Sequence, residues 1–223
     1  MVDRDRSPER LMPDYTIGIL GPIGAGKSTL SQELGRRLGI PAVEEDFGDN
    51  PHLPDFYKDP WRHAYISQTW FLTHKIEQVK NIKGISACVD PDEEMDEVYA
   101  ETLFRMKFMD PREWELYQTE CAVLKDTSRI KKSDIFVVVD APTQVLVERI
   151  RRRGRPYELL MLDNFPNYLD VLAQTVRDWV ARQPSGVPIV RLDTGEHELS
   201  TDKKCIDLIE KDVINFLLQK VSK

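Results

Sequence analysis

Apolar positions along the chain switch between two periods. Residues 15–20, Tyr-Thr-Ile-Gly-Ile-Leu, form a short and nearly continuous apolar run, which predicts a buried strand. Leu30, Leu34 and Leu38 then recur at helical spacing, predicting a helix over 27–38 that Gly39 closes. Residues 41–45 suit a second short strand. Residues 50–60 are rich in Pro and Asp and read as loop with about one turn of helix. A long aromatic helix follows over 61–82, with Tyr65, Phe71, Ile76 and Val79 as core contacts and Gly84 as its stop. Residues 85–89 predict a third strand, and 92–109 and 111–125 two helices broken near Asp110-Pro111. The run Ile135-Phe136-Val137-Val138-Val139 is the clearest buried strand. Pro142 opens a helix that ends at Arg153. Phe165, Tyr168, Leu169, Leu172, Val176 and Val180 mark another, and 187–192 a fifth strand. Ser200 or Thr201 is expected to cap a last helix whose inner face is Ile206, Ile209, Val213 and Phe216. Strands alternating with helices predict an α/β fold with a parallel sheet. Residues 1–13 read as a flexible tail and 14–223 as one domain.

Composition narrows the function. The chain has 223 residues, with 31 basic and 38 acidic side chains, a net charge of −7 and 41% hydrophobic residues. That balance suits a globular core and excludes a largely disordered chain. The apolar runs fall far short of the roughly 20 residues a membrane-spanning helix needs. The charged start of the chain does not read as a secretory signal. The acidic balance argues against a duplex nucleic-acid partner. Three cysteines at odd count and long spacing (88, 121, 205) predict neither a disulfide frame nor a zinc site, and suit a reducing cytoplasm. His52, His63, His74 and His197 form no metal-ligand pattern.

The chemistry begins at Gly21-Pro22-Ile23-Gly24-Ala25-Gly26-Lys27-Ser28, a full G-x-x-x-x-G-K-[ST] match lying between an apolar strand and a periodic helix. Small residues let successive backbone N–H groups converge on phosphate oxygens, and the helix adds its positive N-terminal end. Lys27 supplies a charge to the terminal phosphates, and the Ser28 hydroxyl suits magnesium. Gly21, Gly24, Ala25, Gly26, Lys27, Ser28 and Thr29 are therefore the expected triphosphate site.

Two further stretches carry a resemblance. Asn50-Pro51-His52-Leu53-Pro54-Asp55-Phe56-Tyr57-Lys58-Asp59, followed by Gln68-Thr69-Trp70-Phe71-Leu72, resembles the N-P-x-L-x-x-F-Y-x-D and Q-x-x-F-L patterns of the deoxyribonucleoside kinases. Arg149-Ile150-Arg151-Arg152-Arg153-Gly154-Arg155-Pro156-Tyr157-Glu158 resembles their arginine lid, and Glu113-Trp114-Glu115-Leu116-Tyr117 also fits. The resemblance spans roughly residues 15–195. It implies a P-loop kinase fold, a five-stranded parallel sheet wrapped by helices with an arginine-rich lid. It also implies phosphorylation of a deoxyribonucleoside 5′-hydroxyl, with ATP or another nucleoside triphosphate and Mg2+. By the same resemblance Glu45 is the general base, Tyr57 and Glu158 hold the sugar 3′-hydroxyl, and Gln68 meets the base edge. Arg149, Arg153 and Arg155 close on the donor phosphates, and the protein is a homodimer with a nucleoside substrate.

The chain departs from the family at two places: the proline after the general-base glutamate is Asp46 here, and the second departure is more serious. Where the family carries D-R-S or E-R-S after the third strand, this sequence reads Asp90-Pro91-Asp92. Asp90 remains as a metal-ligand candidate and Asp96 falls on the family's base-contacting aspartate, but the arginine is Pro91. An acidic run, Glu93, Glu94, Asp96 and Glu97, follows. Lys75 or a lid arginine can supply the missing cation, the acidic run can hold a second magnesium, or the acceptor can differ. A site with weakened catalysis would make the protein a nucleotide-binding scaffold. A nucleoside monophosphate kinase suits the acidic run poorly, because a phosphorylated acceptor needs arginines beside it. The acidic run is also compatible with a solvated helix N-terminus.

Overall fold

The computed structural model describes residues 14–44, 48, 50–82, 84–183, 186–195, 199 and 203–221. Five strands, β1 (Thr16–Leu20), β2 (Ala42–Glu44), β3 (Ala87–Asp90), β4 (Ile135–Asp140) and β5 (Ile189–Asp193), form one sheet in the order β2-β3-β1-β4-β5. Every pairing is parallel, with Gly18 opposite Val89 and Phe136, and Glu44 opposite Asp90. Among the described residues the helices are α1 (Lys27–Leu38), α2 (Leu53–Phe56), α3 (Pro60–Asn81), α4 (Glu94–Arg105), α5 (Pro111–Ser128), α6 (Thr143–Arg153), α7 (Pro156–Asn164), α8 (Tyr168–Arg182) and α9 (Lys203–Val221). Because all five strands run the same way, their carboxyl ends lie on one edge of the sheet, the usual place for a ligand in an open α/β fold. Glu44, Asp90, Asp140 and Asp193 end four of those strands.

The sequence periods account for most of this. Ile17, Ile19, Val137 and Val139 are fully buried in the central strands, and Leu30 and Leu34 bring α1 onto the sheet. The break at Asp110-Pro111 is a capping box. Asp110 accepts from the Arg112 and Glu113 amides at 2.7 and 2.9 Å, and Glu113 Oε2 accepts from the Asp110 amide at 2.9 Å.

Four expectations change. Strands are trimmed at their starts, since Tyr15, Pro41 and Ile85 precede the ladders. The helix expected over 92–109 is only Glu94–Arg105, because Asp92 is held outside it. Residues 154–158, where Gly154 and the immediate return to Glu158 suggest a hinged loop from the sequence, are mostly helix: Pro156 starts α7 and Glu158 lies in its first turn. In α9, Ile206, Ile209 and Val213 are buried but Phe216 is 37% exposed, and Leu217 takes the inner position. The expected tail and the Ser200/Thr201 cap lie outside the described residues.

Asp92 packs against the face of β1. Its amide donates to the Ile19 carbonyl at 3.1 Å, Ser133 Oγ donates to Oδ2 at 2.5 Å, and the Glu94 amide donates to Oδ1 at 3.0 Å. Gly18 makes this possible, because a Cβ there would lie 2.2 Å from Asp92 Oδ2.

Candidate active site

The strand-to-helix turn after β1 builds the phosphate loop. Gly21 cannot carry a side chain, since a Cβ would sit 2.0 Å from the Val139 carbonyl oxygen. Its role is to let the loop pass close to β4. Beyond it, Gly24, Ala25, Gly26, Lys27, Ser28 and Thr29 line a cavity of about 460 Å³ at the carboxyl edge of the sheet. Lys27 Nζ donates to the Pro22 carbonyl at 3.1 Å, folding the ammonium back over the loop.

The residues expected to face an acceptor reach the same cavity from different elements. Asn50 ties the preceding loop to α3, its Nδ2 donating to Ser67 Oγ at 3.1 Å and its Oδ1 accepting from the His52 amide at 2.9 Å. That brace brings Tyr57, just past α2, to the cavity wall opposite α7, where its ring stacks on Tyr157 with centroids 5.7 Å apart. Gln68 and Phe71 come from α3, Asp90 from the end of β3 and Asp96 from α4. Burial, with Tyr168, Glu158 and Tyr157 nearby, raises the Tyr57 hydroxyl well above its ordinary range, so it stays a neutral hydrogen-bonding group. Gln68 is 8% exposed, and its Oε1 accepts no hydrogen bond from the described residues. An amide oxygen buried this way at a cavity wall is positioned for a ligand donor.

The arginines converge from α6 and the turn beyond it. Arg149 Nη1 and Nη2 donate to Thr194 Oγ1 and O at 2.9 and 2.6 Å, and Thr194 Oγ1 donates in turn to the Ala25 carbonyl at 2.9 Å. Arg149 is thus braced against the phosphate loop through the residue just after β5. Arg153 forms a two-pronged pair with Glu158, at 2.9 Å from Nε and 2.5 Å from Nη2, and Arg155 Nη1 lies 3.5 Å from the same carboxylate. Glu158 is 4% exposed. One carboxylate therefore joins the acceptor wall to the cationic cluster.

Of the expected catalytic, binding and metal residues, all but two line this cavity: Gly21 shapes the loop from beneath, and Glu45 lies outside the described residues; Lys75, offered as a substitute cation, is fully buried and does not line it. Several lining residues were not foreseen. Arg152 follows Arg149 by three positions on α6 and shares its face, a spacing that marks it in hindsight. Tyr99, Tyr157 and Tyr168 carry no comparable signal; they are wall residues in sequence segments that otherwise look like core. Trp61, by contrast, is 60% exposed, and Trp70 stacks on His74.

Ser28 and Asp90 supply oxygen donors on the same cavity, and Asp90 Oδ1 is buried with no hydrogen-bond partner among the described residues. Such a hard oxygen set suits Mg2+. The acidic run after Asp90 is neither a metal cluster nor a solvated helix end. Among the described residues no group of three metal-binding side chains occurs. Asp92 is fully buried and Glu93 is 2% exposed, while Glu94 and Glu97 pair with Lys125 at 3.1 and 4.0 Å. These contacts hold the start of α4, and with it Asp90 and Asp96.

Burial raises the Asp92 carboxyl against the opposing pull of Ser133 and the Glu94 amide, and burial together with Asp92 raises Glu93. A carboxyl that binds its proton more tightly in the folded chain costs stability as pH rises from about 4 toward neutrality. Asp92→Asn removes that cost. Its unfolding free energy relative to wild type should therefore improve as pH rises from 4 to 7. Denaturant titrations at each pH measure the difference; a pH-independent gap counts against the assignment.

Burial also pushes the Cys88 and Cys121 thiols up to about 12, which makes them inert core groups. No helix among the described residues is long and apolar enough to cross a membrane.

Comparison with known proteins identifies the family of the chain. The chain is 27% identical over 212 residues to a deoxyguanosine kinase of Lactobacillus acidophilus, covering 90% of each. It is 32% identical over 173 residues to a deoxyguanosine kinase of Lactobacillus johnsonii, covering 73% of this chain and 75% of that one. A deoxyadenosine kinase of Dictyostelium discoideum is 30% identical over 183 residues, covering 81% and 72%. Among solved structures, the deoxyadenosine kinase from M. mycoides with bound dATP superposes with a TM-score of 0.76 at 25% identity, covering 89% of this chain and 99% of that one. The same enzyme with bound dCTP gives 0.77 at 25% identity, covering 89% and 98%. A family model described as deoxynucleoside kinase matches residues 17–218, and with that span and the cavity it contains, the chain belongs to the deoxynucleoside kinase family.

Proposed function

We propose that the protein transfers the terminal phosphoryl group of ATP to the 5′-hydroxyl of a deoxyribonucleoside, with Mg2+ held by Ser28 and Asp90. The observation that carries this reading is convergence: the phosphate loop, the Tyr57–Glu158 pair, Gln68 and four arginines face one cavity. In the transfer, the O5′–P bond forms as the bond to the bridging oxygen of the donor breaks. The proton leaves O5′ for the Glu45 carboxylate. Lys27 and the arginines neutralise charge on the moving group, and Mg2+ adds Lewis-acid stabilisation of the phosphate oxygens. Tyr57 and Glu158 orient the sugar through its 3′-hydroxyl, and closure of the arginine segment keeps water from the donor.

Gln68 and Asp96 select the base. A carboxylate only accepts, whereas a glutamine amide both donates and accepts, so the pair suits a base edge with an amino group. The deoxyguanosine and deoxyadenosine kinases among the relatives favour a purine. A panel of deoxynucleosides with labelled ATP tests this directly. Transfer should be strongest to amino-bearing bases and weakest to thymidine. Gln68→Ala should raise the nucleoside KM by about tenfold, as for a lost hydrogen bond in a dry pocket, and leave the ATP KM unchanged. A change in the ATP KM alone would reassign Gln68.

The protein acts in a reducing cytoplasm as a homodimer. Ile66 on α3 and Leu116 and Val123 on α5 are exposed apolar side chains on two helices that pack together, and they supply an interface. Sedimentation at the mass of one chain counts against the dimer.

A further inference from the structure

Lys75, which the sequence offers as a substitute for the missing arginine, is fully buried, and the transfer step as proposed does not use it. Its Nζ donates to Gln78 Oε1 at 3.2 Å, and Gln78 Nε2 donates to the carbonyl of Glu44, the last residue of β2, at 3.2 Å. Packing sets its level in the sheet. Val79 lies in one apolar cluster with Val89 and Val43, and Ile82 and Ala87 belong to the same cluster. One helical turn from Val79 toward the cavity is Lys75. One residue from Val89 in the same direction is Asp90, which pairs with Glu44. One further turn along α3 come Phe71 and then Gln68, both lining the cavity. Lys75 thus lies beneath the cavity floor, at the level where β2 and β3 end.

Two carboxylates are buried on that cavity wall: Asp90 and Asp96 are 2% and 1% exposed. Position 91, directly beside Asp90, carries a proline and no charge. A buried ammonium is retained at such a depth when anionic groups compensate it, and buried carboxylates have the same need in reverse.

We infer that Lys75 is a positioning residue for phosphoryl transfer: its buried ammonium lies at the level of Asp90, and its hydrogen bond through Gln78 to the Glu44 carbonyl ties α3 to the end of β2, which together keep the Asp90 end of the sheet in its working arrangement. It touches neither substrate. This rests on the reading of the cavity as a deoxynucleoside kinase site.

The test compares wild type, Lys75→Met, Lys75→Arg and the double variant Lys75→Met with Pro91→Arg. Methionine keeps the length and apolar stem, and melting curves report whether the fold is kept. Deoxynucleoside and ATP affinities come from calorimetry, and kcat from labelled transfer. Lys75→Met should lower kcat by tenfold or more while both affinities stay within about threefold. Lys75→Arg should keep most of kcat, even if the methionine variant melts early. Pro91→Arg, which sets a cation beside Asp90 from the other side, should restore part of the loss. A Lys75→Met enzyme with wild-type kcat overturns the inference, as does a kcat loss that Pro91→Arg leaves untouched. If wild type itself phosphorylates no member of the panel, the kinase reading and this inference fall together; an active wild type isolates the fate of Lys75.

Discussion

Replacing Lys27 with alanine should lower phosphoryl transfer by more than a hundredfold. The ammonium is folded over the phosphate loop at 3.1 Å from the Pro22 carbonyl, in a cavity whose other cations are committed in part to protein partners. Arg149 is braced on Thr194, and Arg153 gives two donors to Glu158. Neither guanidinium reaches the position of Lys27 without giving up those bonds. Removing one charge clamp from a dry site costs roughly 3 kcal/mol or more, which is the hundredfold. Steady-state transfer with saturating nucleoside measures it, with the melting temperature as the control for folding. Activity within a few-fold of wild type would sink the phosphate-loop assignment.

The second large effect is expected at Glu45. Glutamine there keeps the size of the side chain and loses the capacity to take the 5′-hydroxyl proton. Turnover should fall by a factor on the order of a hundred, while ATP affinity by calorimetry stays the same. Glu44, the residue before it, ends β2 opposite Asp90, a cavity residue. A variant with normal turnover and weakened ATP binding would move Glu45 from the acceptor to the donor side.

Much of the fold was legible because each element carried its own local signal. The strand Ile135–Asp140 and the helix Lys27–Leu38 are buried or periodic enough to be read without a partner. The phosphate loop was legible for a related reason: its chemistry depends on backbone N–H groups at fixed spacing, and spacing is written in the sequence. The break before Pro111 likewise follows from one capping box.

What the sequence left open depended on contacts between distant residues. Residues 154–158 look like a loop because Gly154 and two arginines interrupt the apolar pattern. The segment beyond is helical because Pro156 starts α7 and Glu158 is neutralised by Arg153 from the preceding helix. The acidic run after Asp90 reads equally well as a solvated helix end or a metal site. Its burial was decided by Gly18 on β1, Ser133 before β4 and Lys125 on α5, none of which is near it in the chain. Lys75 is the same case: the sequence offers it as a cation for the site, and only packing shows that it is fully buried and off the cavity lining. The sequence by itself determined the alternation of strands and helices, the phosphate loop and the family. Tertiary structure alone decided which charges are buried and what balances them, because the cost of burying a charge depends on neighbours that only the folded chain brings together.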